Sequence, residues 1–165
     1  MKVSLNSSGW PLFMRGYRTK IHKAALNENL ASGIIRLTNW DKTKSLYDPM
    51  CGSGTFLIEA AMHAFNIPPR MLRESYSFKN WNNFDEILWE RIKNEEQNSI
   101  EYCTVKLYGS DIIKNNINIA LQSLKKLKLK EYINLEIKDF EKVIPKENEG
   151  FFITNPPYGY RIGDI

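Results

Sequence analysis

A chain of 165 residues, 42% hydrophobic and 25% charged, can bury one substantial core and has the composition of an ordinary soluble globular protein. No apolar run approaches the ~20 residues that span a bilayer. MKVSLNSSGW lacks the apolar stretch of a signal peptide. Two cysteines without a CxxC pair, beside two histidines, argue against a metal site and for a reduced, cytoplasmic setting.

The net charge of +4 is uneven. Residues 1–47 hold eight Lys or Arg against two acids, and the rest hold 15 against 17. Such asymmetry marks either a polyanion-facing end or a solvated basic face.

In chain order, residues 2–6 and 12–18 read as a short hairpin around Gly9 and Pro11. From Ile21 to Leu37 the apolar residues Ala25, Leu26, Leu30, Ile34 and Leu37 recur at helical spacing. The hairpin and helix make up an N-terminal part, 1–44, ahead of a core over 45–165. Ser45 to Tyr47 is a strand ending at Asp48. Ser53 to Phe65 is a helix that Pro68-Pro69 ends.

Residues 66–83 are irregular and aromatic-rich. Phe84 to Ile100 returns to helical spacing through Phe84, Ile87, Leu88 and Ile92. The aromatics Tyr76, Phe78, Trp81, Phe84 and Trp89 suit either a packed insertion or a stacking surface, and packing is the more economical account. Val105 to Tyr108 is a strand leading into Gly109-Ser110-Asp111. The clearest amphipathic helix follows, through Ile113, Ile117, Ala120, Leu121, Leu124 and Leu127. Ile133–Ile137 is a strand with Asp139 just beyond it, and 151–154 is a strand ending at Asn155.

Alternating strands and helices predict an α/β domain with a parallel sheet. Four strands then deliver Asp48, Asp111, Asp139 and Asn155 to one edge, the carboxyl edge, where open α/β sheets bind ligands.

DPMCGSGTF, at 48–56, lies between a strand and a helix. Gly52 and Gly54 allow the backbone to approach a ligand closely. The lysine of a phosphate-binding P-loop is absent, and Leu57 stands where a dinucleotide fingerprint has its third glycine. A bare GxG is by itself most simply a tight turn. Asp48 shifts the balance toward a ligand with a positive amino-acid tail, such as S-adenosylmethionine. Asp111 is placed to accept from ribose hydroxyls, Asp139 from an adenine amino group, and Phe140 to stack on the ring.

In ITNPPYGY, at 153–160, the Asn155 side-chain oxygen and the Pro156 carbonyl could hold the hydrogens of a planar base amine. Pro156 and Pro157 fix the backbone, and Tyr158 offers a stacking face. The base would have to leave its stack to reach them. The chemistry is direct displacement at a sulfonium-bound methyl, which needs neither a metal nor a covalent intermediate. Cys51 is better explained as a small side chain in a tight loop than as a nucleophile.

LYDPMCGSGTFLIEAA at 46–61 together with ITNPPYG at 153–159 resembles the S-adenosylmethionine-dependent amino-methyltransferases. The wording is most similar to the ribosomal RNA large-subunit guanine-N2 methyltransferase family. RGYR at 15–18, ENLASGIIRL and SFKNWNNFDEILWERI extend the resemblance over nearly the whole chain. It implies a Rossmann-like three-layer sandwich with a mostly parallel sheet. It also implies a cofactor set of Asp48, Cys51, Gly52, Gly54, Thr55, Asp111, Ile112, Asp139 and Phe140, and a target-amine site of Asn155, Pro156, Pro157 and Tyr158. The implied partner is RNA, in particular large-subunit ribosomal RNA.

Family members carry an RNA-binding THUMP domain upstream and three further strands after NPPY. The expectation is therefore a single catalytic domain, 1–165, lacking its last strands and with a sheet edge open to self-association. Two rivals stand beside guanine-N2 methylation: adenine-N6 methylation of DNA or RNA, and a cofactor- or RNA-binding fragment without turnover.

Overall fold

The computed structural model describes residues 1–18 and 25–157. Its core is a four-stranded, wholly parallel sheet of order β3-β2-β1-β4, built from β1 (Ser45–Asp48), β2 (Leu107–Asp111), β3 (Ile133–Ile137) and β4 (Gly150–Phe152). The ladder of β4 continues past its end, since Ile153 N donates to Tyr47 O over 2.9 Å. Among the described residues four α-helices accompany the sheet: α1 (Glu28–Leu37), α2 (Thr55–Ala64), α3 (Glu86–Asn98) and α4 (Lys114–Leu127). This is the α/β architecture that the alternation of elements predicts.

The connections β1-α2-β2 and β2-α4-β3 step across the sheet in one direction, and right-handed crossovers then set both helices on the same face. The core lies there. Leu46, Leu107 and Ile133 of the strands meet Leu57 and Ile58 of α2 and Leu124 and Leu127 of α4. α2 is buried from Thr55 through Met62, which explains its largely apolar composition, and its buried Glu59 is paired with Arg15. The step from β3 to β4 reverses direction, so the link over 138–149 crosses the other face. There Tyr47 stacks between Tyr108 (4.8 Å) and Phe152 (5.2 Å). The Tyr47 hydroxyl accepts from the backbone N–H groups of Lys146 and Glu147.

Three expectations need correction. The hairpin does not form: the described residues 1–18 contain no strand. The arm is instead held by the Asn6 side chain, which closes a turn onto Ser8 and Gly9, and by Arg73, which donates to the carbonyls of Ser8, Trp10 and Pro11. Val3, Leu5 and Leu12 are exposed, so a hairpin here would have no buried face to cover.

The first helix begins at Glu28 rather than Ile21. Asn27 caps it by accepting from the N–H groups of Asn29 and Leu30, and residues 19–24 lie outside the described residues. Its buried face is Glu28, Ala31 and Ile35, while Leu30 and Leu37 are exposed. A polar residue on the inward face hid the true phase of the pattern.

α3 starts at Glu86 under an Asp85 cap, and Ile87, Leu88 and Ile92 face solvent. Its inward contact is Trp89. That ring packs with Tyr76 and Phe78, which in turn meets Phe84. The aromatic insertion is therefore a packed satellite cluster, from which Trp81 stands out exposed.

Candidate active site at the carboxyl edge of the sheet

β1 and β2 end on Asp48 and Asp111, both buried. Asp139 lies two residues past β3, and Asn155 three past β4. The parallel pairing sets all four at one end of the sheet.

Between Asp48 and α2 the chain folds into a compact loop. Cys51 N donates to Ser110 O over 2.8 Å, Gly54 N to Cys51 O over 2.8 Å, and Gly52 N to Asp111 Oδ2 over 2.9 Å. Gly52 and Gly54 both have positive φ, 54° and 79°, which a side chain would strain. Their surroundings differ. A Cβ on Gly54 would stand 3.1 Å from the Cβ of Ala120 in α4, whereas a Cβ on Gly52 would meet nothing within 4 Å. Gly54 serves packing, and Gly52 borders open space.

Asp111 organises the loop from the neighbouring strand. Beyond Gly52 N, its Oδ1 accepts from Ile113 N (2.8 Å) and Asn116 Nδ2 (3.2 Å). Asp48 carries a carboxyl that burial pushes up to about 7. The Thr154 hydroxyl and Met50 N–H oppose that shift, and the negative charge of Asp111 adds to it. Thr154 immediately precedes Asn155, so Asp48 lies close to the start of the Asn-Pro-Pro segment.

The Cys51 thiol is buried, and burial with the two aspartates pushes its pKa far up, which removes it as a nucleophile. Asp139 is half-buried and accepts from Glu141 N, capping a 3-10 turn over 140–142. Ile112 and Phe140 are exposed apolar side chains just past the ends of β2 and β3. Asn155 and Pro156 are half-buried and Pro157 is exposed, while Tyr158 lies outside the described residues.

Thr55 differs from the rest of the predicted set. It is buried, and its hydroxyl accepts from Arg18 Nη2 over 3.0 Å, so it points to the N-terminal arm. Among the described residues no group of three or more His, Cys, Asp or Glu could hold a metal ion. No described helix is long and apolar enough to cross a membrane.

Two groups here carry no signal in the sequence: Thr154 falls within the expected strand 151–154, and Arg18 falls within RGYR, to which the residues alone give no role.

A parallel sheet, a glycine loop after its first strand, acids at successive strand ends and Asn-Pro-Pro at the next define a Rossmann-like fold of the methyltransferase class. The chain belongs to the family described as "RMKL-like, methyltransferase domain", which it matches over residues 15–165.

Ribosomal RNA large subunit methyltransferase K/L of Psychromonas ingrahamii is 43% identical over 99% of this chain, which spans 22% of that relative's length. The structure of SMU.472, a methyltransferase by description and solved in complex with SAH, is 36% identical with a TM-score of 0.88. The match covers 96% of this chain and 41% of that one. A predicted N6-adenine-specific DNA methylase from Listeria monocytogenes is 30% identical with a TM-score of 0.87, over 94% of this chain and 41% of its own.

Proposed function

We propose that this chain is the cofactor- and amine-binding part of an S-adenosylmethionine-dependent RNA methyltransferase. In this reading it transfers a methyl group to guanine N2 of large-subunit ribosomal RNA. The observation that carries the reading is the meeting of the glycine loop, Asp48, Asp111 and Asn155 at one sheet edge, with Asp48 beside Thr154 joining the two halves. The name of the Psychromonas relative and the SAH held by SMU.472 support it.

The residues present fit the cofactor. Open space at Gly52 admits a ligand against the backbone, and the buried Asp48 suits an ammonium group. Ile112 and Phe140 offer apolar surface to a base. Bound S-adenosylmethionine supplies an electrophilic methyl carbon on a sulfonium leaving group.

The chain's own residues supply position. Asp111 already accepts three internal hydrogen bonds, and a carboxylate has about four acceptor sites, so it takes one ribose hydroxyl without rearrangement. The Asn155 side chain and Pro156 carbonyl hold the hydrogens of the target amine, and Pro157 stiffens that carbonyl. Tyr158 stacks on the base. Asp139 and Phe140 take the adenine edge and face.

A second reading, adenine-N6 methylation, is favoured by the description of the Listeria neighbour. Labelled S-adenosylmethionine, this chain and ribosomal RNA, followed by nucleoside analysis, test both. N2-methylguanosine is expected. N6-methyladenosine would replace the first reading by the second. No transfer by a chain that binds S-adenosylhomocysteine would leave a binding fragment without turnover.

A further inference from the structure

We infer that Arg18, with Glu28 as its counter-charge, is a positioning residue for the cofactor loop, holding the first residue of α2 from the N-terminal arm. The inference rests on reading that loop as the cofactor site.

Arg18 Nη2 donates to Thr55 Oγ1 over 3.0 Å and to the carbonyl of Leu26, and Arg18 Nε lies 3.0 Å from Glu28 Oε1. Thr55 directly follows Gly54. The cap residue Gly54 has no side chain to hold the first turn, so Arg18 provides a side-chain grip there.

The placement is not explained by helix stability. A cation near a helix N-terminus opposes the macrodipole. Burying the guanidinium adds a desolvation cost that Glu28, itself buried, must offset. What the arrangement supplies is a fixed attachment between the arm and the residue that closes the glycine loop. Fixing a loop in its binding conformation beforehand raises affinity by lowering the ordering cost.

The arm grips α2 a second time, one turn further along. Arg15 Nε lies 2.8 Å from Glu59 Oε1, and Tyr17 donates its hydroxyl to the same oxygen over 3.1 Å. This lower grip is more deeply buried but does not touch the loop, which makes it an internal control.

Removing Arg18 alone would take from the buried Glu28 the counter-charge it has among the described residues, where Glu28 Oε2 and Arg18 Nε already lack hydrogen-bond partners. The test therefore removes charges in pairs. S-adenosylhomocysteine is titrated calorimetrically into the 165-residue chain, into Arg18→Met/Glu28→Gln and into Arg15→Met/Glu59→Gln, with thermal melting of each. Loss of the upper grip is expected to weaken binding about tenfold, and loss of the lower grip to lower the melting temperature with affinity kept within about twofold.

Equal affinity of the upper-grip variant and the unaltered chain would overturn the inference, as would equal weakening of both variants. Either result leaves the cofactor reading standing. A cooperatively melting unaltered chain that binds no S-adenosylhomocysteine would overturn the cofactor reading and this inference together.

Discussion

The backbone N–H of Gly52 donates to Asp111 Oδ2 across 2.9 Å, tying the loop after β1 to the end of β2. One carboxylate thus closes the glycine loop, caps the approach to α4 through Ile113 N and faces the carboxyl edge. Asp111→Ala removes these acceptors at once. The variant is expected to lose S-adenosylhomocysteine binding at least tenfold and about 1–3 kcal/mol of stability, because the loop donors lose their partner. Calorimetric titration beside urea unfolding measures both, and unchanged affinity would contradict the placement of Asp111 in the site.

The two loop glycines are expected to fail differently. Gly54→Ala strains φ and presses a methyl against Ala120, so it should lower the melting temperature. Gly52→Ala carries similar backbone strain but projects into open space. It should lower S-adenosylhomocysteine affinity more than Gly54→Ala does when both are compared well below their melting points. The reverse order of affinities would mean that the open side of Gly52 is not where the ligand lies.

Asp48 gives a pH signature. Its folded pKa of about 7 stands above the ordinary 3.8, so the folded state holds this proton over a range in which the unfolded chain has released it. Its contribution is fully present below about 4 and is lost as pH rises through about 7. Stability should therefore fall over that window by an amount on the order of a few kcal/mol. Asp48→Asn, which cannot ionise, should flatten the profile and exceed the unaltered chain in stability at pH 8. Denaturant unfolding at a series of pH values reads this directly.

The same carboxyl predicts a proton balance on binding. An ammonium group beside Asp48 favours the ionised form and lowers its pKa. Binding of S-adenosylhomocysteine near pH 7 should then release a fraction of a proton, visible as a dependence of the binding enthalpy on buffer ionisation heat. Buffer-independent enthalpy would separate Asp48 from the ammonium group.

In the proposed reading Asn155 serves the target amine rather than the cofactor. Asn155→Ala should lower methyl transfer by a factor on the order of 10² or more, since the amine loses one of its two acceptors. S-adenosylhomocysteine affinity should stay within about twofold. A parallel loss of affinity would move Asn155 into the cofactor site.

Much of this architecture was legible because the signals were local and redundant. β3 spans the residues expected of it, α2 is predominantly apolar, and three acids and an asparagine close four successive runs. The carboxyl-edge site follows from that order once the sheet is parallel. The failures have one physical source, long-range pairing. Glu28 reads as solvent-facing until Arg18 is seen beside it, and this moved the phase of α1. The partner of the Thr55 hydroxyl, Arg18, stands 37 residues away and is likewise invisible locally. The hairpin expected over 2–6 and 12–18 finds no sheet edge to join, and backbone carbonyls held by Arg73 take the place of a ladder. Nothing within a window of ten residues carries any of these partnerships.

One phenolic oxygen helps to hold down the crossing on the far face of the sheet, beside the ion pairs Lys146–Glu136, Lys106–Glu147 and Lys44–Glu149. Tyr47 Oη accepts from two consecutive backbone N–H groups about a hundred residues away, at Lys146 and Glu147, just before β4 begins. β4 is three residues long and, among the described residues, pairs on one side only. It is therefore the element with the least of its own to resist opening, and hydrogen exchange should show it and the 138–149 crossing releasing together as one low-energy unit. In Tyr47→Phe the amides of Lys146 and Glu147 should exchange markedly faster while those of β2 and β3 keep their protection. The Asn-Pro-Pro segment rides on the end of that strand, so its rigidity is borrowed from a hydroxyl on the far face of the neighbouring strand β1.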